Sequence, residues 1–307
     1  MKKTFITLAV GLLGLTACGG DVFKKDEGEK EYGDGLKIVT TIPPLYSLTA
    51  HLIEGTNTKL TNILPPNASP HTYQLTFETA RALAEADLVV MNGLELELFL
   101  ERSLHDVKGL VVVASEGIEL IKDHHYDDHD HHHGEYNPHV WLSPSNAIVM
   151  ADNILIALME GDAENEEIYR RNFEELRGKL KDLQEEIHAK ISRLEVGHYL
   201  VFHDAYPYFE RDFGIRAKAF IEEFPGKEPS ARYLAGLVDM IVEKGVEVIF
   251  TEPQFSPKLV ETLAKDYGLR VAELDPLGSE ISKTVYFDMM RGNVAVFEAI
   301  FSIQNGT

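Results

Sequence analysis

The sequence predicts an α/β fold of two lobes. Each lobe holds a roughly four-stranded, mainly parallel sheet flanked by helices, and one long rigid helix joins the two. Three observations predict this. From Leu36 onward, short apolar runs alternate with helical patterns, as in strand–helix–strand units of parallel sheets. The alternation restarts after residue 198. Between the two series, a charged stretch keeps its apolar residues at helical period for 26 residues.

In the first series the candidate strands are 36–41, 59–64, 87–92 and 110–114, with helical patterns near 44–54, 76–86 and 95–104. In the second they are 199–203, 215–221, 246–252 and 269–274, with helical patterns near 205–213, 229–244, 257–267 and 287–303. The joining stretch places Tyr169, Phe173, Leu176, Leu180, Leu183, Ile187, Ile191 and Leu194 three or four residues apart. That spacing lines one face of a helix about 40 Å long. Gly178 is its one weak position. A coiled-coil arm has the same periodicity, but the position between two α/β series favours a bridge.

Residues 1–17 read as a signal peptide. Lys2 and Lys3 precede an apolar run from Phe5 to Leu15, too short to span a bilayer comfortably. The run ends in Leu15-Thr16-Ala17-Cys18-Gly19, which resembles a bacterial lipobox. Cleavage before Cys18 would leave its thiol to carry lipid, anchoring the chain to a membrane without spanning it. An ordinary secretory peptide with an incidental cysteine is the alternative. Residues 18–35 then form a flexible tether rich in Gly, Lys, Glu and Asp. The remaining boundaries follow the patterns: an N-terminal lobe over 36–160 with a His-rich loop at 122–135, the linking helix over 161–196, and a C-terminal lobe over 197–307.

Composition narrows the function classes. With 44% hydrophobic and 26% charged residues over 307 positions, the chain is not disordered as a whole. Its single cysteine excludes an internal disulfide. Fifty acidic residues against 29 basic ones give a net charge of -21. A broad nucleic-acid-binding face needs clustered Lys and Arg, so none is expected.

The 13 histidines carry the functional signal. Six fall between residues 124 and 133: His124, His125, His129, His131, His132 and His133, mixed with aspartates. Such a loop offers imidazole and carboxylate to a borderline metal such as Zn²⁺. Ordering entropy makes this an accessory, low-affinity site. A solvated polar insertion is the alternative reading. Three other histidines stand in separate contexts. His71 follows the turn-rich Pro65-Pro66-Asn67-Ala68-Ser69-Pro70, His139 sits in Asn137-Pro138-His139-Val140-Trp141, and His203 ends a predicted strand. Ligands of open parallel sheets bind beyond the carboxyl ends of strands. Asp275 lies at another such end, in Leu274-Asp275-Pro276. His71, His139, His203 and Asp275 converging between the lobes would make a tetrahedral N₃O zinc site. Singly, each histidine reads as a hydrogen-bonded structural residue and Asp275 as a turn opener. The case rests on their co-occurrence.

These segments resemble the metal-binding lipoproteins of bacterial ABC importers, in the zinc-binding branch of the zinc/manganese group. The resemblance is carried by Ala68-Ser69-Pro70-His71-Thr72-Tyr73, Ala86-Asp87-Leu88-Val89-Val90, Asn137-Pro138-His139-Val140-Trp141-Leu142-Ser143-Pro144, Phe202-His203-Asp204-Ala205-Tyr206, Thr251-Glu252-Pro253-Gln254-Phe255 and Leu274-Asp275-Pro276-Leu277-Gly278. It implies a metal held between the lobes by His71, His139 and His203. It also implies Zn²⁺ as transported cargo, a membrane permease as partner, and action as a lipid-anchored monomer outside the cytoplasm. Manganese-binding members carry Glu at the position of His203, consistent with imidazole suiting zinc and carboxylate suiting manganese. The fourth ligand varies in the group. Pro70 before His71 excludes an adjacent Glu, leaving Asp275 or a water, with Glu280 the other nearby carboxylate.

Besides a surface adhesin or interaction protein, which lipid anchoring permits but nothing else in the sequence supports, two rival readings remain. A manganese-binding relative is one. The other is a zinc hydrolase, since three His and a water also describe a catalytic centre. The chain has no His-Glu-x-x-His helix and no nucleophile elbow. Glu252 fits a partner of a ligand histidine better than a general base. A binding protein rather than an enzyme is therefore expected, with capture failing as imidazoles protonate.

Overall fold

The structure is a computed structural model that describes residues 35–123 and 134–302. The signal-peptide, Cys18 and tether readings and the six histidines of 124–133 fall outside those residues. In the first lobe, β1 (Lys37–Thr40), α1 (Pro43–Leu52), β2 (Lys59–Asn62), α2 (Phe77–Ala84), β3 (Leu88–Met91) and β4 (Leu110–Val113) follow in order. Next come α3 (Pro144–Gly161) and α4 (Glu166–Ile191). The second lobe is β5 (Tyr199–Val201), α5 (Pro207–Phe213), β6 (Ala219–Phe220), α6 (Ala231–Lys244), β7 (Val248–Thr251), α7 (Lys258–Tyr267) and β8 (Arg270–Glu273), closed by α8 (Val285–Phe301).

The two sheets share one topology. Their strand orders are β2-β1-β3-β4 and β6-β5-β7-β8, and every pairing is parallel. The central strands are continuous apolar runs, Leu-Val-Val-Met in β3 and Val-Ile-Phe-Thr in β7, because helices cover both faces of a parallel sheet. In each sheet the chain reverses its direction of winding between the two inner strands. That switch point opens a crevice at the carboxyl ends of β1 and β3, and of β5 and β7.

Helix α4 buries Tyr169, Phe173, Leu176, Leu180, Leu183, Ile187 and Ile191, the apolar stripe read from the sequence. Leu194 lies beyond the helix end. The stripe packs against α1, α3, α5 and α8, so α4 contacts helices of both lobes. Helix α8 follows the second sheet but returns to pack on α1 and α4. As a result, one hydrophobic core runs continuously through both lobes and includes Leu45, Trp141, Tyr206, Phe209, Tyr286 and Phe297. Smaller clusters lie on the remaining face of each sheet.

Two elements differ from expectation. The stretch 95–104 is not an α-helix but two short 3₁₀ turns, Leu98–Leu100 and Ser103–His105. Gly93, Leu94 and Glu95 all take left-handed φ angles (85°, 56° and 61°). The Glu97 carboxylate folds back to accept the N–H groups of Asn92 and Gly93 at 2.7 and 3.0 Å, and this tight loop leaves no room for a regular helix. Helix α3 had no counterpart among the expected elements. Its few polar residues, Ser145, Asn146, Asp152, Asn153 and Glu160, share one side with Val149 and Ile156, so its amphipathic period is weak. Its start is marked by Ser143, whose Oγ accepts from the N–H of Asn146 at 3.1 Å, followed by Pro144 in the first turn.

Candidate metal centre

Each of the three candidate histidines lies on a connection leaving the carboxyl end of a strand. His71 is on the β2–α2 connection and His139 on the β4–α3 connection. His203 comes two residues after β5, at the switch point of the second sheet. The fold brings them together. The Nε2 atoms of His71 and His139 lie 3.2 Å apart, and those of His203 and His139 lie 3.1 Å apart. One ligand nitrogen from each residue falls within 4.8 Å of the others. His139 and His203 are buried, whereas His71 is half-buried.

Hydrogen bonds assign the protons on the two buried rings. Oδ1 of Asn137 accepts the main-chain N–H of His139 at 3.0 Å and faces its Nδ1 at 3.0 Å. Oε1 of Glu252, at the carboxyl end of β7, accepts the main-chain N–H of His203 at 3.3 Å and faces its Nδ1 at 2.7 Å. In both cases an oxygen confronts Nδ1, so Nδ1 carries the hydrogen, and in the neutral ring that a metal requires Nε2 carries the bare lone pair. Two lone-pair nitrogens 3.1 Å apart cannot hydrogen-bond to each other, but a cation between them satisfies both. Nitrogens bound to Zn²⁺ at about 2.0–2.1 Å in tetrahedral geometry sit about 3.3 Å apart, close to the separations found.

Aromatic and apolar groups wall the centre. The Trp141 ring lies 5.2 Å from that of His139, and the Phe255 ring 5.6 Å from that of His203. Ser69, Pro70, Gln254, Pro276 and Leu277 complete the lining. On the other side the histidines face Asp123, Asp204, Glu223 and Pro225. Burial raises the nearby Glu222 carboxyl above its ordinary range, opposed by the Gly226 N–H it accepts.

Asp275 is not part of this cluster. Its Oδ1 accepts from Gln254 Nε2 at 2.9 Å and from the N–H groups of Leu277 and Gly278 at 3.0 and 2.9 Å. That is the turn-opening role, with the carboxylate already saturated at this oxygen. Asp275 and Glu280 line a separate groove with Glu273 and Asp288. Glu252 does partner a histidine. Asn137, by contrast, had no role assigned from sequence. Its place two residues before a histidine in an Asn-Pro-His turn was the available signal, because Asx side chains bond the main chain two residues on.

The chain is similar to several known proteins. It is 33% identical over 268 residues to the "High-affinity zinc uptake system protein ZnuA" of Yersinia pestis, covering 80% of this chain and 84% of that one. A crystal structure of ZnuA superposes with a TM-score of 0.75 at 29% identity, covering 87% of this chain and 98% of the other. The solute-binding protein FpvC of Pseudomonas aeruginosa, solved with Mn²⁺, superposes with a TM-score of 0.78 at 26% identity, over 86% and 98% of the two chains. The model of one family, zinc-uptake complex component A periplasmic (ZnuA), matches residues 38–300, and the chain belongs to that family.

Proposed function

We propose that the chain is the zinc-capturing component of an ABC importer: His71, His139 and His203 take Zn²⁺ between the lobes and present it to a membrane permease. The observation that carries this reading is the pair of facing Nε2 atoms on His139 and His203, each ring fixed by an acceptor at its Nδ1. Three neutral imidazoles are a borderline donor set that favours Zn²⁺ over Mn²⁺. The fourth position is filled by a water or by an oxygen brought by movement, since Asp275 is committed to its own turn. Binding is the whole activity, and no covalent chemistry is done on the cargo.

The continuous core and the α4 bridge favour small lobe movements over a wide hinge. Cys18 anchors the monomer to the outer face of the cytoplasmic membrane or to the periplasmic side of an outer one. Among the described residues no helix is long and apolar enough to cross a membrane. The His-rich stretch 124–133 acts as an accessory collector. Of the residues that flank it, Lys122 pairs antiparallel with Tyr136, and Asp123 lines the space beside the three histidines.

The FpvC complex makes manganese the alternative cargo. A competitive titration of metal-stripped protein, residues 19–307, decides between them. The expected result is one tight Zn²⁺ site that survives deletion of 124–133 and is lost in His203→Ala. Preference for Mn²⁺, or tight binding confined to the deleted stretch, would overturn the proposal.

A further inference from the structure

We infer that Asn137 is a positioning residue that couples the orientation of His139 to the seating of the second-lobe ligand segment, so that one amide controls both the affinity of the centre and its rate of metal release. This rests on the three-histidine reading above.

The buried side chain of Asn137 has two ends with different partners. Oδ1 takes the main-chain N–H of His139 and faces its Nδ1, both at 3.0 Å. Nδ2 donates to the main-chain carbonyl of Asp204 at 2.6 Å, the residue immediately after His203. Main-chain groups fix the amide's direction, since an N–H must meet the oxygen and a carbonyl must meet the nitrogen. The arrangement cannot be flipped without losing both bonds. Asn137 therefore ties the His139 ring to the chain that carries His203.

The main chain of Asn137 is held as firmly. Its N–H donates to the Ile121 carbonyl at 2.9 Å. Its carbonyl accepts from the Tyr208 hydroxyl of α5 at 2.9 Å, and that same hydroxyl accepts the Ile121 N–H at 3.0 Å. The adjoining Pro138 carbonyl accepts from Asn92 Nδ2 at 2.9 Å. The Asn137–His139 strut is thus bonded to both lobes. The main-chain N–H of His71 donates to Ser69 Oγ at 3.3 Å, within its own turn. Two ligands held as a unit by Asn137, and a third on its own turn, make the Asn137 amide the point where exchange is controlled.

Three variants separate the functions, each measured in the full mature chain by chelator competition for Zn²⁺, by stopped-flow Zn²⁺ release, and by the visible spectrum of bound Co²⁺. Asn137→Ala removes both ends, and its affinity is expected to fall about 10–100-fold, the usual effect of losing a partner behind a ligand histidine, with an altered Co²⁺ spectrum. Asn137→Asp keeps the acceptor for His139 but sets a carboxylate oxygen against the Asp204 carbonyl. The added charge behind His139 favours binding, so the expected Zn²⁺ release, about tenfold faster or more in spite of it, reports the lost tie to Asp204. Tyr208→Phe removes bonds to the same strut without touching the amide, and is expected to change release less than threefold. Unchanged affinity in Asn137→Ala overturns the inference, as does unchanged release in Asn137→Asp, or a Tyr208→Phe variant that matches Asn137→Asp. Failure of the wild type to bind Zn²⁺ would instead overturn the three-histidine reading itself.

Discussion

Glu252 places one carboxylate oxygen 2.7 Å from Nδ1 of His203 and accepts the main-chain N–H of the same residue. The two residues sit at the carboxyl ends of neighbouring inner strands, β7 and β5. The switch point itself thus creates the pair. A carboxylate behind a ligand imidazole fixes its tautomer and raises its basicity. The other oxygen, Oε2, is buried and has no hydrogen-bond partner among the described residues, so His203 is where the charge of Glu252 is chiefly expressed. Glu252→Gln keeps the shape and can still offer an oxygen to Nδ1, but loses the charge. Its zinc affinity is expected to fall about tenfold, and that of Glu252→Ala by up to about 100-fold. Chelator competition measures both. Equal affinities for wild type and Glu252→Ala would mean that the pair is only structural.

Trp141 fastens the lobes to each other. Its indole N–H donates to the Pro276 carbonyl at 2.7 Å, and its own carbonyl accepts from the Tyr286 hydroxyl at 2.8 Å. All three groups are buried. Trp141→Phe strands the Pro276 carbonyl, and the expected loss is about 2 kcal/mol of stability. Tyr286→Phe should cost about 1 kcal/mol. Because both act on one segment, the double variant should lose less than the sum. Urea unfolding of the metal-stripped proteins gives the three values, and full additivity would show that the two bonds act independently.

His51, outside the three-histidine cluster, makes the fold sensitive to acid. It is buried on α1 against the edge of Phe287, 5.5 Å between rings. Burial, helped by Lys179 and Lys283 and opposed by Glu54, lowers its pKa from 6.5 to about 4. The native state therefore keeps His51 neutral over a range in which the unfolded chain takes up a proton. This contribution is fully present above about pH 6.5 and is lost as pH falls toward 4. At pH 5 the loss is on the order of 1–2 kcal/mol. His51→Leu removes it, so the stability of the variant relative to wild type should rise between pH 7.5 and pH 5. The three metal-centre histidines are common to both proteins and cancel in the difference. A pH-independent difference would place the source of acid sensitivity elsewhere.

Much of this architecture is legible in the sequence because its elements announce themselves locally. The inner β-strands are short, mostly apolar runs, and the α4 stripe repeats at helical period. His71, His139 and His203 each follow a recognisable strand and turn, which sufficed to name them together. What escaped depends on long-range pairing. Helix α3 marks its period only weakly, because Val149 and Ile156 interrupt its polar side. The loop after β3 looked helical because Leu96, Phe99 and Leu100 are suitably spaced, but Glu97 turns inward to bond Asn92 and Gly93. Asp275 sits just after a strand end as His203 does, yet Leu277 and Gly278 capture its oxygen. Local sequence shows that a carboxylate stands at a strand end but not which neighbours reach it first.

Gly226 faces the His71 turn across the cleft, and its lack of a side chain matters there. Its φ is 81°, and a Cβ built on it would meet Cγ2 of Thr72, the residue after His71, at 2.4 Å. Gly226→Ala therefore carries two penalties: a left-handed backbone that L-residues resist by about 1 kcal/mol, and a clash that displaces the turn bearing His71. The variant should be less stable by about 1–2 kcal/mol and should bind zinc more weakly, because moving one ligand disturbs the set. Adding Thr72→Ala removes the clashing methyl but not the backbone strain. The double variant should therefore regain zinc affinity while staying less stable than Thr72→Ala alone. Measuring unfolding and zinc competition on all four proteins separates the two effects. If the double variant binds zinc no better than Gly226→Ala, the contact with Thr72 is not what sets the position of His71.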